Sequence, residues 1–359
     1  MTQILTRYLA REIYGATALM LVAFLGLFAF FDFINELDAI GENGYQLHHA
    51  LIFVAMILPG RVYELLPVAV LIGTLYALTT LARHSEITVM RVSGVSTMKM
   101  LRTLAGIGSL FVVLTFVFGE YIAPPAERAA QQWRLTATNS AVSNQLRSGL
   151  WVKDGPRFVN VQTVLPDRSM EKVRIFEFDE RHTLLSISEA ATARYAADGQ
   201  GWRLEGVRQT RFLGDHTDVV QVPELHWRSD LTPDVLSVLM VAPERMSVTT
   251  LFAYVNHLRE NQQNADRYEI ALWKKLVYPF AALVMMALAL PFSFRHDRMG
   301  GVSVKVFLGV MLGVGFYLLN GLFSNLGVIN SWHPALAALT PSLIFLAAAA
   351  VMLFWVERR

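Results

Sequence analysis

MLRTLAGIGSLFVVLTFVFGEYIAPPAERAAQQWRLTATNS, residues 100–140, passes once from apolar to polar chain and does not return for the next hundred positions. Residues 100–123 hold one base near their start and one acid near their end, and they are long enough to cross a hydrocarbon core of about 30 Å. Five further stretches have the same character, near 13–34, 50–80, 268–292, 302–324 and 335–356. Three therefore precede a polar block at 126–246 and three follow it. The expected fold class is a membrane α-helical protein with six transmembrane helices and an all-β domain, an antiparallel sandwich or jelly roll, inserted between helices three and four. The expected domains are an N-terminal transmembrane half (1–125), the β domain (126–246), and a linker helix with the C-terminal transmembrane half (247–359).

Composition agrees. Of 359 residues only 17% are charged, against about a quarter in soluble domains. Mean hydropathy is +0.40. The net charge of +2 has no basic tail or stripe behind it, so there is no electrostatic footprint for nucleic acid. There is no cysteine, which excludes disulfides, thiolate catalysis and cysteine-held zinc or iron–sulfur clusters. The run from Ile13 to Phe33 is too long for a cleaved signal and reads as a first span. Before it, Ile4, Leu5, Tyr8 and Leu9 share a face flanked by Arg7 and Arg11. That suits a short interfacial helix, though a solvated stub fits too.

Lysine and arginine in short loops set orientation. Arg7 and Arg11 precede span one. Arg83, Arg91, Lys99 and Arg102 lie between spans two and three, Arg295, Arg298 and Lys305 between spans four and five, and Arg358 and Arg359 at the end. The opposite loops carry Asp32, Glu36, Asp38 and Glu42 without a base, or no formal charge at 325–334. Both termini are expected in the cytoplasm and the β domain on the outward side.

In the polar block, Leu150-Trp151-Val152, Arg157–Val161, Val173–Phe178 and Trp202-Arg203-Leu204 alternate as half-buried strands. Asp154-Gly155-Pro156, Pro166-Asp167 and Asp198-Gly199-Gln200-Gly201 are turns between them. His182, His216 and His226 are scattered and show no metal spacing. No nucleophile motif and no phosphate-binding Gly-x4-Gly-Lys-Ser/Thr loop occurs, so no catalytic residue, metal or cofactor is assigned. After the block, Ser247 opens an amphipathic helix to about Asn261, with Leu251, Tyr254, Val255 and Leu258 on one face.

Residues 84–95, between spans two and three, are too polar to span and too apolar for a plain loop. Ser85 is placed to cap a short helix, Glu86 sits in its positive first turn, and Gly94 can end it. Ile87 and Met90 share a face beside Arg91. Two readings fit: a docking knob for a partner protein, or a membrane-surface helix with none.

Leu81-Ala82-Arg83-His84-Ser85-Glu86-Ile87-Thr88-Val89-Met90-Arg91-Val92-Ser93-Gly94 resembles the LptF/LptG family of lipopolysaccharide export permeases, subunits of an ABC transporter. So do Gly119-Glu120-Tyr121-Ile122-Ala123-Pro124, Gly149–Gly155, Ser229–Asp234 and Leu272-Trp273-Lys274-Lys275. The combination covers essentially the whole chain and is nearer the LptG branch than the LptF branch. The resemblance implies a coupling helix at Glu86, Ile87, Met90 and Arg91, seated in a groove of an ATPase subunit, and a jelly-roll outward domain. It implies a heterodimer with an LptF-type subunit, an LptB ATPase dimer that binds the ATP, LptC, a periplasmic LptA bridge, and lipopolysaccharide as substrate. It also implies that spans one and five line a lateral opening, and that the outward side is the periplasm of a Gram-negative inner membrane.

Arg61, after the Pro59-Gly60 break expected in the second stretch, and Lys274 and Lys275, at the outer start of span four, break the local charge bias. Lipopolysaccharide offers phosphates at that depth, and a phosphate contact is charge-assisted. Snorkelling and a local Arg61–Glu64 pair are the alternatives. Where the LptG branch can carry lysines at the outer end of span one, this chain has Asp32, Glu36 and Asp38. Divalent ions on the substrate or bases on a partner would satisfy them. Gly15, Gly309, Gly313, Gly315 and Ala347–Ala350 are expected at close helix contacts. The paralogous LptF role, and a membrane-anchored sensor or scaffold without transport, use the same layout.

The orientation is directly testable in this cysteine-free chain. A single Gln162→Cys should react with an impermeant maleimide on spheroplasts, and Ser85→Cys should not; the reverse pattern overturns the assignment.

Overall fold

The computed structural model describes residues 2–41, 44–138, 149–165, 169–179, 181, 183–196, 201–229, 242–294 and 302–358. Glu42, His182, Arg295, Arg298, Arg359, Pro166-Asp167, Asp198–Gln200 and Asp230–Asp234, all used above, lie outside these residues. The helices are α1 (Thr2–Leu37), α2 (Leu47–Arg83), α3 (Glu86–Val92), α4 (Thr97–Val117), α5 (Ala123–Ala137), α6 (Val248–Glu260), α7 (Asp266–Val277), α8 (Ala281–Phe294), α9 (Val302–Ile329) and α10 (Pro334–Glu357). A π-helical turn at Phe118–Ile122 joins α4 to α5, and a 3-10 turn at Tyr278–Phe280 joins α7 to α8. Six helical segments are long and apolar enough to cross a membrane: Ile4–Leu37, Leu47–Arg83, Thr97–Arg134, Asp266–Phe292, Ser303–Ile329 and Pro334–Val356.

Three of them outrun the sequence reading. Residues 2–12 continue span one as one helix rather than forming a separate interfacial piece. Pro59-Gly60 does not break the second stretch: α2 runs through Pro59 and Pro67 from Leu47 to Arg83, because neighbouring helices support the backbone groups a proline frees. At 1.5 Å per residue, α2 is about 55 Å long, well beyond a bilayer core. The third helix also continues to Ala137. Its π turn has a local cause. Pro124 and Pro125 carry no N–H for the carbonyls of Glu120 and Tyr121, so the regular ladder cannot be kept there.

α2 is the axis of the bundle, with buried residues from Ala50 to Leu81. Helices approach it where side chains vanish. A Cβ on Gly73 would sit 2.5 Å from Thr17 Oγ1 of α1, and one on Gly309 or Gly313 of α9 would sit 2.6 Å from Leu75 or 2.5 Å from Val68. That is the small-residue packing membrane helices favour. Gly15 and Gly315 have open space instead, and of Ala347–Ala350 only Ala349 is buried. Gly119, in the π turn, admits the Tyr63 ring, 2.6 Å from where its Cβ would be.

The polar block forms one six-stranded antiparallel sheet in sequential order: β1 (Leu150–Asp154), β2 (Arg157–Val164), β3 (Met170–Phe178), β4 (Leu184–Tyr195), β5 (Trp202–Phe212) and β6 (Thr217–Trp227). Gly155, at φ +57°, is the first central residue of the β1–β2 turn, the position a two-residue hairpin reserves for glycine. Val159, Val161, Val173, Ile175, Ala190, Leu204, Val207, Trp202 and Trp227 form one buried cluster. Every member of the cluster lies on a strand of this sheet, so among the described residues the sheet buries the face by curling around it. The close of the curl is visible where Arg157 Nη1 donates to the Arg228 carbonyl at 3.4 Å, bringing the exit of β6 to the start of β2. Full burial of each Val, Ile or Leu contributes about 1.5–3 kcal/mol, which suits a domain with no disulfide.

α6 forms as the sequence indicates. Ser247 Oγ accepts from Thr250 N at 3.1 Å as N-cap, and Leu251, Tyr254, Val255 and Leu258 are its buried face. At its other end Asn261 holds the β domain: its carbonyl accepts from Lys153 Nζ at 3.2 Å and its side chain from Gly155 N at 3.1 Å.

Gly119→Ala should overpack the Tyr63 contact and lower unfolding stability by about 1–3 kcal/mol, with partial recovery in the Gly119→Ala/Tyr63→Ala double variant. An unchanged thermal midpoint in the single variant contradicts this packing.

Candidate functional site

The two regions singled out in the sequence lie at opposite ends of the bundle. At the first, α3 follows α2 after two residues. Ser85 is not the cap expected: it takes φ +60° and its side chain makes no cap hydrogen bond. Gly94, at φ +87°, does follow the helix end, and Val95 N bonds back to the Met90 carbonyl at 3.1 Å. Ile87 and Met90 do not form an outward ridge. They are 3% and 9% exposed and pack with Leu9, Ile13, Leu81 and Met100. A short surface helix buries its i, i+3 stripe in its own chain, which leaves Val89 (63% exposed) and Val92 (85%) outward. Arg91 is exposed. Glu86 is half-buried and accepts from Tyr8 Oη at 3.3 Å, tying α3 to α1.

At the other end, the cations and acids are paired with each other. Arg61 donates from Nε and Nη2 to Asp32 at 2.9 and 2.6 Å and from Nη1 to Glu64 at 2.8 Å. Its guanidinium also lies 5.7 Å from the centre of the Phe28 ring. This bidentate fork joins α1 to α2. One turn further out, Glu36 pairs with Arg134 at 2.9 Å, joining α1 to α5. Tyr45 Oη donates to Glu36 at 3.1 Å. Burial, then the Glu36 charge, hold the Tyr45 hydroxyl well above the ordinary phenol range, so it stays a donor. Glu127 of α5 pairs with Arg245 at 2.7 Å, just before α6. Asp32 and Glu36 thus pair with bases of this chain rather than awaiting a divalent ion or a partner's bases; Asp38 is exposed.

Lys275 turns inward. It is 6% exposed, donates to the Met246 carbonyl and lies 5.2 Å from the centre of the Tyr63 ring. Lys274 is half-buried, with Nζ 3.5 Å from Ser324 Oγ. Of the three cations marked in the sequence, Arg61 is neutralised by two carboxylates and Lys275 is enclosed, so Lys274 is the one left near the surface.

Glu120 carries a role the sequence did not disclose. Its carboxylate accepts from Val248 N at 2.7 Å and Thr249 N at 3.4 Å, closing the N-terminus of α6, where an acid is favoured. The third span therefore grips the helix that supports the β domain. The signal available was an acid inside an apolar stretch, which asks for a partner; the partner lies 128 residues away. Among the described residues no group of three His, Cys, Asp or Glu side chains could hold a metal ion.

A helical membrane protein of six long apolar segments, carrying a curled antiparallel sheet between the third and fourth, is the class this geometry defines. Residues 7–355 match the family described as lipopolysaccharide export system permease LptF/LptG, and the chain belongs to that family. It is 31% identical over 359 residues to lipopolysaccharide export system permease protein LptG of Haemophilus influenzae (strain ATCC 51907 / DSM 11121 / KW20 / Rd), covering 100% of this chain and 99% of the relative. It is 31% identical over 347 residues to LptG of Escherichia coli (strain K12), covering 95% of each.

Asp32→Arg should disrupt the α1–α2 clamp, and the charge swap Asp32→Arg/Arg61→Asp should restore most of it. Removing one partner of a well-formed, largely buried pair costs about 3 kcal/mol. Melting of the purified permease measures both, and equal loss in single and swapped variants contradicts the clamp.

Proposed function

We propose that this chain is the LptG-type permease subunit of a lipopolysaccharide exporter. It draws lipopolysaccharide from the outer leaflet of the inner membrane and passes it to a periplasmic bridge. The observation that carries this reading is the full-length likeness to two LptG permeases, which also favours the LptG over the LptF role. The termini face the cytoplasm, and the β domain stands in the periplasm as a jelly-roll-like shelter for acyl chains. Its sheet gathers one apolar face, which is packed shut in this conformation and takes acyl chains on opening.

Its partners are an LptF-type subunit, a dimeric LptB ATPase, LptC and LptA. ATP is bound by the ATPase. α1 and α9 are the least enclosed spans and present Leu19, Val22, Phe30, Phe307, Met311 and Leu318 outward. That supports their lining the lateral opening beside the LptF-type partner. Lys274 is the phosphate contact in the conformation described; Arg61 and Lys275 serve only if motion of span one or α6 frees them. On the cytoplasmic side α3 is the coupling helix. Val89, Val92 and Arg91 form its docking face beside Glu86, while Ile87 and Met90 anchor it from within.

Val92→Glu should cut recovery of the ATPase with the permease at least tenfold while leaving the thermal midpoint of the permease chain unchanged, and Ile87→Ala should lower that midpoint. If Val92→Glu retains the ATPase and supports normal lipopolysaccharide export, the docking face is wrong. A chain that retains its ATPase and yet moves no lipopolysaccharide in reconstituted vesicles contradicts the substrate.

A further inference from the structure

A groove of about 670 Å³ opens between the first residues of α1 and the middle of α4, lined by Ile4, Thr6, Arg7, Ala10, Tyr14, Gly106 and Ile107. Its size is that of a small-molecule site, roughly 300–1,000 Å³. It lies at the end of the bundle that carries α3, far from the Arg61 and Lys275 clusters, and none of the function proposed above uses it.

Three observations fix what fits there. The first is depth. α1 meets the outer boundary near Asp32, and a bilayer core takes about 20 helical residues, which sets the inner boundary near Glu12. Arg7 then lies at the head-group level. Tyr14 and Ile107, joined by a Tyr14 Oη hydrogen bond to the Ile107 carbonyl at 3.1 Å, lie among the acyl chains. The second is charge. Arg7 is exposed and forms no ion pair with another described residue. On α4, Lys99, Arg102 and Gly106 follow one another at i, i+3 and i+7 and so share a stripe; Lys99 and Arg102 are exposed as well. Arg7 thus lines one wall at the head-group end, and Arg102 stands one turn beyond the Gly106 wall on the same stripe. The third is the floor. A Cβ on Gly106 would meet no atom within 4 Å, so that wall is bare backbone beside open space.

We infer that this groove binds one anionic phospholipid of the inner leaflet, its phosphate between Arg7 and Arg102 and an acyl chain along Ala10, Gly106 and Ile107. A basic pocket between helices at the cytoplasmic boundary is the form such sites take. The same segment of α1 holds α3 through Tyr8 and Glu86, so the lipid steadies the helix pair at which an ATPase would dock. The inference rests on the orientation proposed above.

The test uses the intact permease complex in vesicles containing either phosphatidylglycerol or phosphatidylcholine with a photoactivatable acyl chain. Phosphatidylglycerol should label peptides within 4–14 and 100–110 at least threefold more than phosphatidylcholine. Gly106→Phe, which fills the groove, should remove that labelling, and Arg7→Gln with Arg102→Gln should abolish the preference for the anionic lipid. Equal labelling by both lipids, or labelling indifferent to Gly106→Phe, overturns the inference. Labelling of the isolated chain that disappears in the complex also overturns it, and assigns the groove to a partner's helix. Lipopolysaccharide export is scored separately on the same vesicles, so failure of the lipid site is distinguished from failure of the export function.

Discussion

A charge at the edge of a hydrocarbon core is costly unless it is paired, and the end of this bundle that carries Arg61 is built on that constraint. Arg61 takes Asp32 and Glu64, Arg134 takes Glu36, and Arg245 takes Glu127. Each fork or ion pair joins segments that hydrophobic packing alone would leave free to slide, because apolar surface gains nothing by leaving lipid for another helix. Together they fix α1, α2 and α5 into a platform. The β domain then stands on it through α6, whose first turn is held by Glu120 and whose last residues hold the β1–β2 turn. Displacement of span three is therefore carried into the domain through hydrogen bonds rather than through a slack linker.

The opposite end is organised by burial. α3 has too few residues to be stable alone, and it persists because Ile87 and Met90 enter the core shared by α1, α2 and α4. The consequence is a rigid knob whose remaining apolar surface is Val89 and Val92. One chain thus has a stiff α3 contact at one end, a bundle centred on α2, and a β domain clamped at the other end, which is a continuous mechanical path along the bundle.

The six spans, the inserted sheet and α6 were legible because each is written in local periodicity: long apolar runs, alternation, and a Ser cap ahead of a 3.6-residue stripe. The face shared by Ile87 and Met90 is buried within the chain rather than offered to a partner, for a physical reason. An amphipathic stripe announces that a face is buried, and says nothing of whether the chain itself or a partner buries it. The break expected at Pro59-Gly60 failed because helix propensity is a weak prior inside a supported bundle. Asp32–Arg61 and Glu120–Val248 were invisible locally, since their partners are brought together only by the hairpin of α1 and α2 and by the return of the chain after the sheet. Arg61 lies well inside α2 and not at its end, so the hairpin alone did not reveal that it stands level with Asp32.

The central claim is that lipopolysaccharide leaves the membrane along the inside of the curled sheet. Tyr195 packs against the buried cluster, whereas Trp151 is exposed on the opposite face. With benzoylphenylalanine at each position in turn, the account predicts an ATP-dependent lipopolysaccharide adduct at 195 and none at 151. Adducts formed equally at both positions, or at 151 alone, would contradict it.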